Sequence, residues 1–214
     1  MLVKTYGSAV QGIDAIKIGV EVDIGKGAKA QLIGLPDNAV KESLTRIYAA
    51  LKNSGYKFPR KGLIINMAPA DLKKEGAAYD LTIALGILLA SDQIEIDSLD
   101  HCLLMGELSL DGGLLPIKGS LPMAIQAKKD GFKQMILPAS NAAEASMVQG
   151  IEVFGLRDLK EVVQFLEDEA LCALDLRLCR AVCSRIVREY ETLVNAAYAC
   201  KLSHKLAAKL LGVV

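Results

Sequence analysis

Two pairs of soft metal ligands stand one helical turn apart, Cys179 with Cys183 and Cys200 with His204. On neighbouring helices they would present three thiolates and an imidazole, a donor set that suits tetrahedral zinc. The spacing is compatible with a metal but unlike the usual zinc-ligand patterns, and a free cysteine on a helix contact face is ordinarily a small buried hydrophobe. No metal and no other cofactor is therefore expected. The one Gly-Lys pair is Gly25-Lys26, followed by Gly27 where a phosphate-cradling loop needs Ser or Thr. Gly19 lies one position too far back for such a loop. The flanking pattern is strand, turn and strand, with no helix start to receive a phosphate, so a hairpin turn is expected. Lys57, Arg60, Lys61, Lys73 and Lys74 form the best basic footprint for nucleic acid, offset by Asp71 and Glu75.

The elements that must position these residues follow from periodicity. Segments 13–24 and 28–33 read as strands, with Val20, Val22 and Ile24 alternating with Glu21 and Asp23. Gly34-Leu35-Pro36 breaks the second strand, and Asp37 caps a helix whose stripe is Val40, Leu44, Ile47 and Leu51. Gly55 ends it and Pro59 prevents its resumption. Residues 63–67 read as a central strand, 69–76 as a loop and 80–90 as a buried helix. Residues 102–110 read as one strand, turned by Asp111-Gly112-Gly113 into a hairpin through Ile117. Thereafter helix 121–129, strand 134–137, helix 141–149, strand 151–154 and helix 158–167 alternate. The fold class is α+β, α/β-like in its later half, with a mixed sheet. A boundary is expected near residue 169. Residues 170–214 then form a helical tail that holds four of the five cysteines.

Bulk properties narrow the function. Hydrophobic residues make up 52% of the 214, enough for a sizeable core, which aliphatic side chains must build because tryptophan is missing. Charges balance at 25 against 25. The broad positive field that drives non-specific nucleic-acid binding is thus lacking, although a local patch is not. The amino terminus has no signal-peptide pattern and no apolar run is long enough to span a bilayer. A cytoplasmic protein without membrane partners, its cysteines reduced, is expected.

Several strings go beyond composition. They include Gly34-Leu35-Pro36-Asp37-Asn38-Ala39-Val40, Asn53-Ser54-Gly55-Tyr56-Lys57-Phe58-Pro59 and Asn66-Met67-Ala68-Pro69-Ala70-Asp71-Leu72-Lys73-Lys74-Glu75-Gly76. Asp80-Leu81-Thr82, Gly106-Glu107-Leu108-Ser109 and Leu115-Pro116-Ile117-Lys118-Gly119 follow in order. Over about residues 1–167 they resemble the amino-terminal domain of the ComM/YifB family of magnesium-chelatase-like AAA+ ATPases. The resemblance implies a ribosomal S5 domain 2-like fold shared with Lon peptidase, and a bacterial origin. For whole-length relatives it implies ATP-driven work on DNA branches during natural transformation.

A Lon-type peptidase needs a serine in a Lys-Asp-Gly-Pro-Ser-Ala-Gly loop and a lysine after a Leu-Pro-Ile-Gly-Gly hairpin, because a hydroxyl attacks only once a desolvated amine takes its proton. Placed on Lys74-Glu75-Gly76-Ala77-Ala78-Tyr79-Asp80, the first motif puts Ala78 at the serine. Placed on residues 115–121, the second puts Leu121 at the lysine. Ser120 and Lys118 lie beside the lost lysine but are not expected to point as it did. The reading is a Lon-like domain over residues 1–169 that is not an enzyme: a scaffold or assembly domain of a ComM-like ATPase, here without the ATPase module. Its expected partners are further copies of itself or an AAA+ module, with DNA reached through full-length relatives. An autonomous nucleic-acid-binding S5-like module and a divergent Lon-like peptidase are the alternatives.

Overall fold

The computed structural model describes residues 2–167 except Lys26, Ala28, Glu95, Asp97 and Ser98. The boundary expected near residue 169 and the helical tail lie outside the described residues. Strands β1 (Leu2–Gln11) and β2 (Asp14–Gly25) make a long antiparallel hairpin. β3 (Ala30–Ile33) then leads through helix α1 (Asn38–Asn53) into β4 (Gly62–Ala68), giving the sheet order β1-β2-β4-β3. β4 runs antiparallel to β2 and parallel to β3, so β3-α1-β4 is a parallel crossover unit built on a helix. The turn after Gly25 is thus not the expected hairpin, because β4 lies between β2 and β3. Nor does a helix follow it.

Strand β1 has no counterpart in the sequence expectations. The residues it buries are Thr5, Gly7, Ser8 and Ala9, which carry no hydrophobic period. Thr5 still earns its place, since its hydroxyl donates to Thr82 O at 3.1 Å.

Helix α1 forms where its cap and stripe predict. Asp37 accepts from Val40 N at 2.8 Å, and Val40, Ile47 and Leu51 are fully buried while Leu44 is half-buried. Helix α2 (Asp80–Ala90) is buried nearly all round and packs on β1 and β2. Gly86 permits that approach: a β-carbon there would stand 2.6 Å from Val22 Cγ2.

The expected strand 102–110 is two strands in two sheets. β5 (Cys102–Leu104) joins a parallel sheet, and β6 (Glu107–Leu108) pairs with β7 (Leu114–Leu115). Between them the chain turns away to brace the start of α2: Gly106 N donates to Ala78 O at 2.8 Å and Gly106 O accepts from Leu81 N at 3.0 Å. Helix α3 (Ser120–Lys129) leads to β8 (Gln134–Pro138), the central strand of the order β5-β8-β9, with β9 at Glu152–Leu156. The helix expected over 141–149 is only α4 (Ala142–Ala145). Its end tightens as Met147 N and Val148 N donate to carbonyls three residues back. Asn141 ends the 3-10 turn (Ala139–Asn141) that leads into α4. Its amide grips Ile117 N and O at 2.9 and 2.8 Å, as a strand neighbour would. Helix α5 (Leu159–Glu167) closes the described chain, and no helix among the described residues is long and apolar enough to cross a membrane.

Candidate functional site

Two loops hold Ala78 and Leu121, the residues onto which the motif placement sets a Lon-type dyad. The first runs from β4 to α2 and is tied down along its length. Lys74 N donates to Leu35 O at 3.2 Å and Asp37 N donates to Lys74 O at 3.0 Å, while Asp37 accepts from Gly76 N at 3.1 Å as well as capping α1. At its end Ala78 is half-buried, and its carbonyl is committed to Gly106. Tyr79 beside it is buried, which with the charges of Asp37 and Glu75 pushes its phenol above the usual range.

Asp80 then opens α2 with its side chain at 0% exposure. Arg46 from α1 meets both its oxygens, Nε to Oδ2 at 2.8 Å and Nη2 to Oδ1 at 3.1 Å, and Leu108 N donates to Oδ2 at 3.3 Å. Burial still outweighs these partners and pushes the carboxyl up to about 6. The pair therefore joins α1 to α2 directly behind the loop.

The second loop is the entry to α3. Gly119 adopts φ +79° as the N-cap, and the free amides of the first turn are met by a carboxylate from α4. Glu144 accepts from Leu121 N at 3.3 Å and from the Ser120 hydroxyl. Ser120 is fully buried and so engaged, and Lys118 is exposed. Both loops abut β1. Tyr79 lies against Gly7, and a β-carbon on Gly119 would crowd Val10, three residues further along the strand. Three strand residues span about 10 Å. Ala78 and Leu121 carry a methyl group and an isobutyl group. Neither can attack a carbonyl or accept a proton.

The five basic residues do not form one patch. Lys73 and Lys74 follow the Ala68 end of β4, whereas Lys57, Arg60 and Lys61 precede its Gly62 end, about 20 Å away at the usual strand rise. Lys73 is paired with Glu75 at 2.7 Å. Lys74 is fully buried and its ammonium donates to Pro69 O, so it presents no charge to a polyanion. Burial lowers its pKa, opposed by Asp71. Lys57, Arg60 and Lys61 instead share a groove with Lys52, Tyr48, Tyr56 and Phe58. Sequence reasoning missed these four. The signal was present in Tyr48 and Lys52, one turn apart on α1, and in the alternation Tyr56-Lys57-Phe58-Pro59-Arg60-Lys61. Among the described residues no cluster of His, Cys, Asp and Glu suits a metal ion. Cys179, Cys183, Cys200 and His204 lie outside them.

Residues 20–141 match the family described as subunit ChlI of Mg-chelatase, and the chain belongs to that family. Competence protein ComM of Haemophilus influenzae is 39% identical over 165 residues, which are 77% of this chain and 32% of that protein. Uncharacterized protein YifB of Escherichia coli is 42% identical over 160 residues, 74% of this chain and 31% of that protein. Lon protease 2 of Bacillus subtilis is 29% identical over 158 residues, 73% of this chain and 28% of that protein. The chain is thus a ComM/YifB-type magnesium-chelatase-like domain with a Lon-like, S5 domain 2-type fold. It spans about a third of the length of the curated relatives it matches.

Proposed function

We propose that this domain is a non-catalytic scaffold that helps assemble or position an ATP-driven motor of the ComM type, which in whole-length relatives works on DNA branches. The observation that supports this reading is the pair of aliphatic side chains, Ala78 and Leu121, on the two residues where the motif placement would set nucleophile and base. The loops around them support the reading. Their polar groups are spent on anchoring: Asp37 on two backbone amides, Asp80 on Arg46, and Ser120 on Glu144. Loops held rigid in this way are what a docking or spacing domain needs. No phosphate-cradling sequence is present in the 214 residues, so nucleotide turnover by this polypeptide alone is not expected.

The test is to incubate the purified chain with unfolded casein and with a fluorophosphonate probe, and to read peptide release and intact mass. No cleavage and no covalent adduct are expected. A hydroxyl adduct that forms with a single rate and tracks peptide release would overturn the proposal.

A further inference from the structure

At the Gly62 end of the four-stranded sheet, the ends of α1 and α2 frame an open groove of about 990 Å³. That is the upper end of the range of about 300–1,000 Å³ typical of ligand sites. We propose that this groove binds a single strand of nucleic acid, with an unpaired base on the Tyr48–Phe58 aromatic pair and the phosphates against Lys52, Lys57, Arg60 and Lys61.

Charge comes first. The four cations line the groove against one lining carboxylate, Asp92, with Glu167 close enough to act on the Tyr56 phenol, and none of the salt bridges among the described residues takes up any of the four. The carboxyl ends of α1 and α2 also point here, each contributing about half a negative charge. With Glu167 counted, the balance stays positive by about one, which still favours a polyanion.

The aromatic residues choose among polyanions. Tyr48 is 49% exposed, a poor arrangement for a core residue, and meets Phe58 edge-on with centroids 5.5 Å apart. An edge-on pair leaves ring faces outside the contact, and every base offers a π-face to stack there, provided it is unpaired. A duplex hides those faces, so a single strand fits and a double helix does not.

The platform is also fixed in place. The side chain of Gln93 clasps the backbone of Lys57 on both sides, with Lys57 N to Oε1 and Nε2 to Lys57 O each at 2.7 Å. Little ordering is then left for binding to impose on the Tyr56–Lys61 run. Past Ile24 and Lys61 the groove continues into a second hollow of about 460 Å³ beside Gly25 and Gly27, a path a flexible backbone could follow.

Fluorescence anisotropy with labelled dT20 and the full 214-residue chain tests this. Binding is expected to weaken with salt, with a log–log slope of roughly −2 to −3 for three or four phosphate contacts on a single strand. Tyr48→Leu should lose about 5- to 100-fold in affinity, and Tyr48→Phe should retain it. The double reversal Arg60→Glu with Lys61→Glu should lose at least about 10-fold and flatten the salt slope by about 1.4. Lys73→Glu, at the other end of β4, should change nothing, and a blunt duplex of the same length should bind more weakly than the single strand. All these positions are exposed, and matched circular dichroism of the variants controls for folding. The proposal is overturned if dT20 does not bind at 50 mM salt. It is equally overturned if the duplex binds as tightly, or if Tyr48→Leu and the double reversal both bind like the parent chain.

Discussion

Replacing Arg46 by methionine strands a carboxylate that has no exposure to water. Asp80 loses two charge-assisted hydrogen bonds, at 2.8 and 3.1 Å, and keeps only the amide of Leu108 at 3.3 Å. Such bonds contribute about 1.5–3 kcal/mol each, and removing one partner of a buried pair costs about 3–5 kcal/mol. Because the Arg46 side chain is 21% exposed, the lower figure applies, about 3 kcal/mol near pH 7.5. The deficit should depend on pH. The folded carboxyl titrates at about 6 against 3.8 for the free group, so the folded chain binds the proton more tightly than the unfolded one. Stability of the parent chain should therefore fall as pH rises from about 4 to about 6, by up to about 3 kcal/mol. Below pH 5 the carboxyl is neutral with or without Arg46, and the loss in Arg46→Met should shrink to about 1 kcal/mol. Adding Asp80→Asn to Arg46→Met should recover at least half the deficit at pH 7.5 and little at pH 5. Urea unfolding by circular dichroism at the two pH values reads all of this. A loss that is the same at both, or below about 1 kcal/mol at pH 7.5, would refute the reasoning.

Three further outcomes follow from single contacts. Gly34 sits at φ +102°, and a β-carbon there would lie 2.0 Å from Met67 O. Gly34→Ala should therefore cost more than about 3 kcal/mol and collapse the soluble yield. Asn141→Ala leaves both backbone groups of Ile117 unmet, about 2–4 kcal/mol, read as a drop of roughly 10 °C in Tm. Asp37→Ala removes the α1 cap and the Gly76 contact, about 2 kcal/mol by thermal unfolding, whereas Asp37→Asn should keep most of that stability.

Elements with a strong hydrophobic period were legible from sequence. Val40, Ile47 and Leu51 announced α1, and Asp37 announced where it begins. What escaped were features set by contacts distant in sequence. β1 buries small and polar residues because α2 lies close against it, so its pattern carries no alternation. The strand through Leu104 breaks at Gly106 only because the backbone of Ala78 and Leu81 is waiting for it, 25 residues and more away in the chain. Charge by itself was a poor guide to the basic residues. Lys74 looks identical to Lys57 in sequence, yet the bridge between Pro36 and Lys74 draws it into the interior. Ala78 and Leu121 could be placed from sequence alone because each lies two residues after a glycine of positive φ, Gly76 and Gly119.

The scaffold assignment is tested most directly by reconstitution. A ComM-type relative lacking the third of its length that this chain matches is mixed with the purified chain, and assembly and ATP turnover are followed together. A complex with raised turnover, unaffected by polar substitutions at Ala78, is the predicted result. No complex and unchanged turnover across a range of chain concentrations would contradict the assignment.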